Sequence, residues 1–229
     1  MLIINSLRIL CFGDSLTAGW SRSTHPILHP YASTLETSLN TTFPYMNVSI
    51  NVEGYLGDQT ECPTGRCPGF LPRIEQLYQQ SSDYDHYNWA IILGGTNDLD
   101  WNRDAPEIYA SLQKVWGIPL SHGTKVLAIT VPECGDCGPV TDQRTIALNS
   151  MIMTHQADNY YIFDLHESVP YRGMSEEERK IVWDDGIHFT PAGYDLVGSR
   201  IAKRLVELLQ DIEGIADLSQ QPVHGELKA

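Results

Sequence analysis

Ser15 is placed where a hydroxyl can react only if the rest of the chain supports it. It follows Arg8-Ile9-Leu10-Cys11-Phe12-Gly13-Asp14, an apolar run that stops at a glycine and an acid. A serine there has two available jobs. It can cap the next helix through its side-chain oxygen. It can instead attack a carbonyl carbon, provided that a neighbouring base takes its proton. The second job needs a base, an acid to orient the base, and N–H donors for the oxyanion.

Eight histidines could supply the base. His188 is set apart by its surroundings, Trp183-Asp184-Asp185-Gly186-Ile187-His188-Phe189. In a turn, a carboxylate three residues earlier can accept from one ring nitrogen while the other faces a nucleophile. Asp185 has that spacing, and the adjacent Asp184 competes for the role. Taken alone, an Asp-x-x-His turn is equally a local structural hydrogen bond or half of a metal site.

Two further stretches could supply donors. Gly94-Gly95-Thr96-Asn97-Asp98 offers a side-chain amide at Asn97, and Gly54-Tyr55-Leu56-Gly57-Asp58 offers a backbone N–H unshielded at Gly57. Each is by itself an ordinary turn after a strand. Asp14 reads as a structural partner of its own turn. Trp20 and Trp101 follow the serine and asparagine turns closely enough to line a pocket, and Pro132 and Glu133, which end the fourth apolar run, could form one of its walls.

These residues need a scaffold that brings distant turns together. Short, branched or aromatic runs at 7–12, 48–52, 89–93, 125–131 and 160–163 read as buried strands. Helical segments are expected at 31–39, 70–80, 107–115 and 142–156, with a last one from 191 to about 209. Pro191 suits the first turn of that helix and Thr190 its N-cap. Strand–helix alternation argues for a parallel sheet covered on both faces. In such sheets, ligands bind beyond the carboxyl ends of the strands, where the serine, glycine and asparagine turns lie. Residues 1–212 read as one domain and 213–229 as a loosely attached polar tail.

Composition narrows the partners. The chain has 229 residues, 42% of them hydrophobic, and a formal net charge of −14. That charge argues against nucleic acid and anionic membrane surfaces. No apolar stretch is long enough to span a bilayer, and the first ten residues lack a secretory pattern, so a cytoplasmic location is expected. Of five cysteines, Cys11 reads as a core residue. The pairs Cys62/Cys67 and Cys134/Cys137 allow local disulfides without requiring them. A four-cysteine zinc site would require the two loops to meet. No cofactor and no metal are expected.

Taken together, four blocks in order resemble the SGNH (GDSL) hydrolase superfamily over roughly residues 8–209. They are Gly13-Asp14-Ser15-Leu16, Gly54-Tyr55-Leu56-Gly57-Asp58, Gly95-Thr96-Asn97-Asp98 and Asp185-Gly186-Ile187-His188. The resemblance implies a flavodoxin-like three-layer α/β/α fold with a five-stranded parallel sheet. It implies Ser15 as nucleophile, His188 as base and Asp185 as acid. The Ser15 and Gly57 amides and the Asn97 side chain would form the oxyanion hole. The implied activity is cleavage of carboxylic esters through an acyl-enzyme, on short-acyl or acetyl esters of a small soluble substrate or sugar. Leu56 departs from the small polar residue common at its position, and the paired-cysteine loops are local elaborations. An acyltransferase, a lysophospholipase or a thioesterase on the same residues are the alternatives, as is a non-catalytic ligand-binding module. A metal-dependent hydrolase lacks a recognisable ligand set, and nucleotide binding lacks a glycine-rich phosphate loop.

Overall fold

The structure is a computed structural model that describes residues 6–62, 65–80 and 86–213. The expected tail beyond residue 213 lies outside these residues. Five strands form one parallel sheet: β1 (Ser6–Gly13), β2 (Asn47–Gly54), β3 (Trp89–Leu93), β4 (Lys125–Ile129) and β5 (Tyr160–Phe163). Their order is β2-β1-β3-β4-β5. The chain crosses from β2 over β1 to β3, so the strand order reverses at β1, and a crevice opens beyond the carboxyl ends of β1 and β3.

The alternation of side chains along each strand builds two cores. Leu7, Ile9 and Cys11 of β1 join Trp89, Ile91, Leu127 and Ile129 on one face. Leu10 and Phe12 join Ala90, Ile92, Val126 and Ala128 on the other. The first face is covered by α2 (Ala32–Thr42) and α9 (Pro191–Glu213), through Leu35, Leu39, Val197, Ile201 and Leu205. The second is covered by α3 (Phe70–Gln80), α5 (Ala105–Ser121) and α6 (Pro139–Thr154), through Phe70, Ile74, Ile108, Leu112, Val115 and Leu148. Burying each such side chain contributes about 1.5–3 kcal/mol. This burial, more than helix propensity, holds the three layers together.

The elements differ from the sequence reading mainly at their ends. β4 stops at Ile129 rather than 131, because Val131 is taken out of the ladder. Both its backbone groups bond the Asn149 side chain, N–H to Oδ1 at 2.8 Å and C=O to Nδ2 at 2.9 Å. Helix α5 runs past Gly117 and through Pro119 to Ser121. Val115, Trp116 and Pro119 stay buried along it, so tertiary packing overrides the two poor helix formers. Four short helices were not foreseen: α1 (Ser15–Ala18), α4 (Thr96–Asp100), α7 (Leu165–Ser168) and α8 (Glu176–Val182). At α9 the Thr190 hydroxyl accepts from Gly193 N–H at 3.1 Å, the expected cap.

No helix among the described residues is long and apolar enough to cross a membrane. Cys62–Cys67 and Cys134–Cys137 are disulfides, and Cys11 is buried in the core. The four paired sulfurs are bonded to each other, so the zinc arrangement is replaced by two separate local clasps.

Candidate active site

Ser15 opens α1 immediately beyond β1. Its turn is held by Asp14, whose Oδ1 accepts from Leu16 N–H at 2.9 Å. Asp14 is fully buried, and that burial pushes its carboxyl up to about 7. The Leu16 N–H works against the shift, Asp98 and Asp58 add to it, and the Arg73 guanidinium opposes it.

The turn between α8 and α9 delivers the histidine. His188 Nε2 is 2.9 Å from Ser15 Oγ, across 173 positions of sequence. On its other side, His188 Nδ1 lies 3.0 Å from Asp185 Oδ2 and 3.2 Å from Oδ1. Asp185 Oδ1 also accepts from His188 N–H at 2.8 Å and Ile187 N–H at 3.1 Å. Gly186, at φ +83°, allows the tight turn that folds these groups onto one carboxylate. Burial alone would raise the Asp185 carboxyl. The His188 N–H, its ring and charge, and the Ile187 N–H outweigh burial and hold it below the usual carboxylate range. Asp184 is not in competition: its Oδ2 accepts from Ser21 Oγ and Ser23 N–H, both at 3.1 Å.

The two donor turns converge on the same edge. Gly57 has φ +73°, in a region where an L side chain is strained, so the sharp turn after β2 favours glycine for its backbone. Asn97 lies in the first turn of α4. Its Nδ2 donates to Asp58 C=O at 2.8 Å and has a longer contact of 3.4 Å to Asp14 Oδ2. The loop beyond Gly57 is pinned from behind. Asp98 accepts from Thr60 N–H at 2.9 Å, Thr60 Oγ1 at 2.7 Å and Arg103 Nη1 at 2.6 Å.

A pocket of about 230 Å³ opens over Ser15, Asn97 and His188. Its walls include Leu99, Pro132, Glu133, Thr141, Thr145 and Ile187. Pro132 and Glu133 are therefore where the sequence suggested. The Cys134–Cys137 clasp also lines this pocket, whereas Cys62 borders a separate cavity with Lys114. The two tryptophans differ from expectation. Trp20 packs its ring edge-on to His188, with centroids 4.4 Å apart, and so holds the imidazole rather than a ligand. Trp101 follows the last turn of α4 and is 56% exposed, outside the pocket lining.

Sequence reasoning passed over Arg73. On α3, it sends Nη1 to Gly13 C=O at 3.0 Å and to Asp58 Oδ2 at 2.8 Å, and Nη2 to Glu53 C=O at 2.6 Å. The available signal was a cation between Phe70 and Ile74 on the inward face of an amphipathic helix. Among the described residues, no group of three or more His, Cys, Asp and Glu side chains is arranged to hold a metal ion.

The parallel sheet with its switch-point crevice, and a serine, histidine and acid meeting there, define a hydrolase of the SGNH fold. The chain belongs to the GDSL-like lipase/acylhydrolase family, whose sequence profile matches residues 11–196. That family comprises carboxylic ester hydrolases. Solved structures agree on the fold. A member of the lipolytic G-D-S-L family from Veillonella parvula superposes with a TM-score of 0.71 at 20% identity, covering 88% of this chain and 100% of that one. An aryl esterase from M. smegmatis, in its inhibitor-bound form, gives 0.65 at 23% identity, covering 89% and 100%. A carbohydrate acetylesterase from Sinorhizobium meliloti gives 0.63 at 22% identity, covering 88% and 99%. A search of curated proteins returned no match to this sequence.

Proposed function

We propose that this chain is a serine esterase that hydrolyses acetyl or other short-acyl esters of a small soluble alcohol or sugar. The observation that carries the reading is the continuous hydrogen-bonded line Asp185–His188–Ser15, which ends in a pocket shared with Asn97. Ser15 Oγ attacks the ester carbonyl as neutral His188 Nε2 takes its proton. Asp185 fixes the ring so that Nε2 faces Ser15, and it stabilises the imidazolium that forms. The Ser15 and Gly57 amides and one Asn97 N–H receive the oxyanion. His188 then protonates the departing alcohol, and later activates the water that clears the acyl-enzyme.

Asn97 is held for this role by Asp58 C=O, which takes one side-chain N–H at 2.8 Å, while the long 3.4 Å contact to Asp14 Oδ2 leaves the other weakly held and able to turn to the oxyanion. Replacing Asn97 with alanine is expected to lower kcat by about 10²–10³-fold, with KM little changed, since the lost donor acts on charge that develops in the transition state. Steady-state hydrolysis of an aryl acetate by folded variant and wild type measures this. A kcat within a fewfold of wild type removes Asn97 from the oxyanion hole.

The size and lining of the pocket support short acyl groups. At about 230 Å³ it lies below the range of about 300–1,000 Å³ usual for drug-sized ligands. Glu133 and Asp100 lie on its wall and the net charge is −14, which disfavours anionic esters such as phospholipids and acyl-CoA. Across a series of p-nitrophenyl esters, kcat/KM is expected to peak at two to four acyl carbons. A peak at eight carbons or more would favour a lipase or thioesterase instead. The two disulfides fit an oxidising compartment better than the cytoplasm, and so weigh against the location expected from the sequence.

A further inference from the structure

Two of the four blocks that build the site meet behind it on one side chain, and a third is tied to them through Asp58. Arg73 belongs to none of those blocks. Its guanidinium takes Gly13 C=O, one residue before the Asp14-Ser15 turn. It takes Glu53 C=O, at the end of β2 where the Gly57 turn begins. It also takes Asp58 Oδ2, immediately after Gly57. Asp58 passes the constraint on, because its backbone C=O accepts from Asn97 Nδ2 at 2.8 Å. The assembly is closed by Tyr55 N–H, which donates to the same Gly13 C=O at 3.1 Å.

The cluster is sheltered and its geometry is specific. The Asp58 side chain is wholly buried and that of Arg73 is 13% exposed. The guanidinium carbon lies 4.6 Å from the centroid of the Phe12 ring, which fixes the plane of the fork. Three acceptors from two strand ends and one turn are met by two guanidinium nitrogens. A lysine ammonium is a single point on a flexible stem and cannot reproduce that fork.

We infer that Arg73 is a positioning residue of the oxyanion hole, setting the Ser15, Gly57 and Asn97 donors relative to one another without touching the substrate. The inference rests on the esterase reading above. It differs from a merely structural role in what it predicts. The nucleophile and its base are held by other contacts, Asp14 with Leu16 and Asp185 with His188, so they survive the loss of Arg73. Only stabilisation of the developing oxyanion suffers.

The test compares Arg73→Lys and Arg73→Ala with wild type on an aryl acetate, each also in an Asn97→Ala background. Arg73→Lys keeps a cation beside Asp58, so it tests the fork without stranding a buried carboxylate. It is expected to fold, to keep KM within about twofold, and to lose kcat about tenfold, as donors displaced by fractions of an ångström would dictate. Arg73→Ala, where it folds, is expected to lose kcat by about 10²-fold and to regain part of it with added guanidinium ion. In the Asn97→Ala background both losses are expected to shrink, since part of the constraint acts through Asn97. A fluorophosphonate adduct on Ser15 is expected in every folded Arg73 variant. Wild-type kcat in Arg73→Lys overturns the inference, as does an equal loss in both backgrounds or a loss carried by KM. If Arg73→Ala does not fold, Arg73→Lys decides alone. A wild-type protein with neither turnover nor adduct would overturn the esterase reading and this inference together, whereas an active wild type beside unaffected Arg73 variants overturns this inference only.

Discussion

Replacing His188 with alanine is expected to lower kcat on an aryl acetate by roughly 10⁵–10⁶-fold, with the fold intact. The magnitude follows from the geometry. His188 Nε2, 2.9 Å from Ser15 Oγ, is the base in direct reach of that hydroxyl. Without it Ser15 remains an ordinary alcohol, and the oxyanion donors alone leave a small residual rate. The side chain is partly buried against Trp20, so its loss opens space at the pocket edge but removes nothing from either core. Thermal denaturation beside turnover separates the two effects. A variant with normal melting and a loss of less than about tenfold would mean that another group takes the Ser15 proton.

The Asp185→Asn variant is expected to lose about 10⁴-fold in kcat. Asparagine keeps the size of the side chain and can still accept from the His188 and Ile187 N–H groups. It lacks the negative charge that steadies the imidazolium, and its amide can hold the ring in the wrong tautomer. This substitution also carries a pH signature. The wild-type carboxyl is held below its ordinary value, so the stability it contributes is present above the unfolded-state pKa of about 3.9 and is lost as pH falls through the lower folded value. The variant should therefore be less stable than wild type near neutrality. The difference should close at the acid end, below about pH 4. Denaturant midpoints at pH 7 and pH 3 measure it. Equal stability at pH 7 would mean that the charge of Asp185 does nothing for the folded state.

Much of this arrangement was legible in the sequence because it lies in short contiguous stretches. Ser15 follows directly on an apolar strand. Asn97 follows two glycines at the end of β3, and Asp185 and His188 share one turn. The strand–helix alternation is enough to place these turns at one edge of a parallel sheet. The preference for Asp185 over Asp184 rested on spacing, and the structure gives its reason, since Ser21 and Ser23 claim Asp184.

What stayed hidden depends on contacts between distant segments. Arg73 binds two backbone carbonyls and a carboxylate, 60, 20 and 15 positions away, and no local pattern advertises a carbonyl. Trp20 was legible as an aromatic near the serine, but its edge-on packing with His188 depends on where a turn 168 residues later folds. The helix expected over 107–115 stops short of Gly117 and Pro119, and a buried face carries α5 through them. The cysteine pairs were visible as pairs, but the lining of the pocket by only one of the two clasps is a property of the folded loops.

Intact mass of the purified protein after reaction with a fluorophosphonate, beside the Ser15→Ala variant, tests the activated serine most directly. The geometry predicts one adduct on wild type and none on Ser15→Ala. No adduct on folded wild type, or an equal adduct on the variant, would contradict Ser15 as the nucleophile.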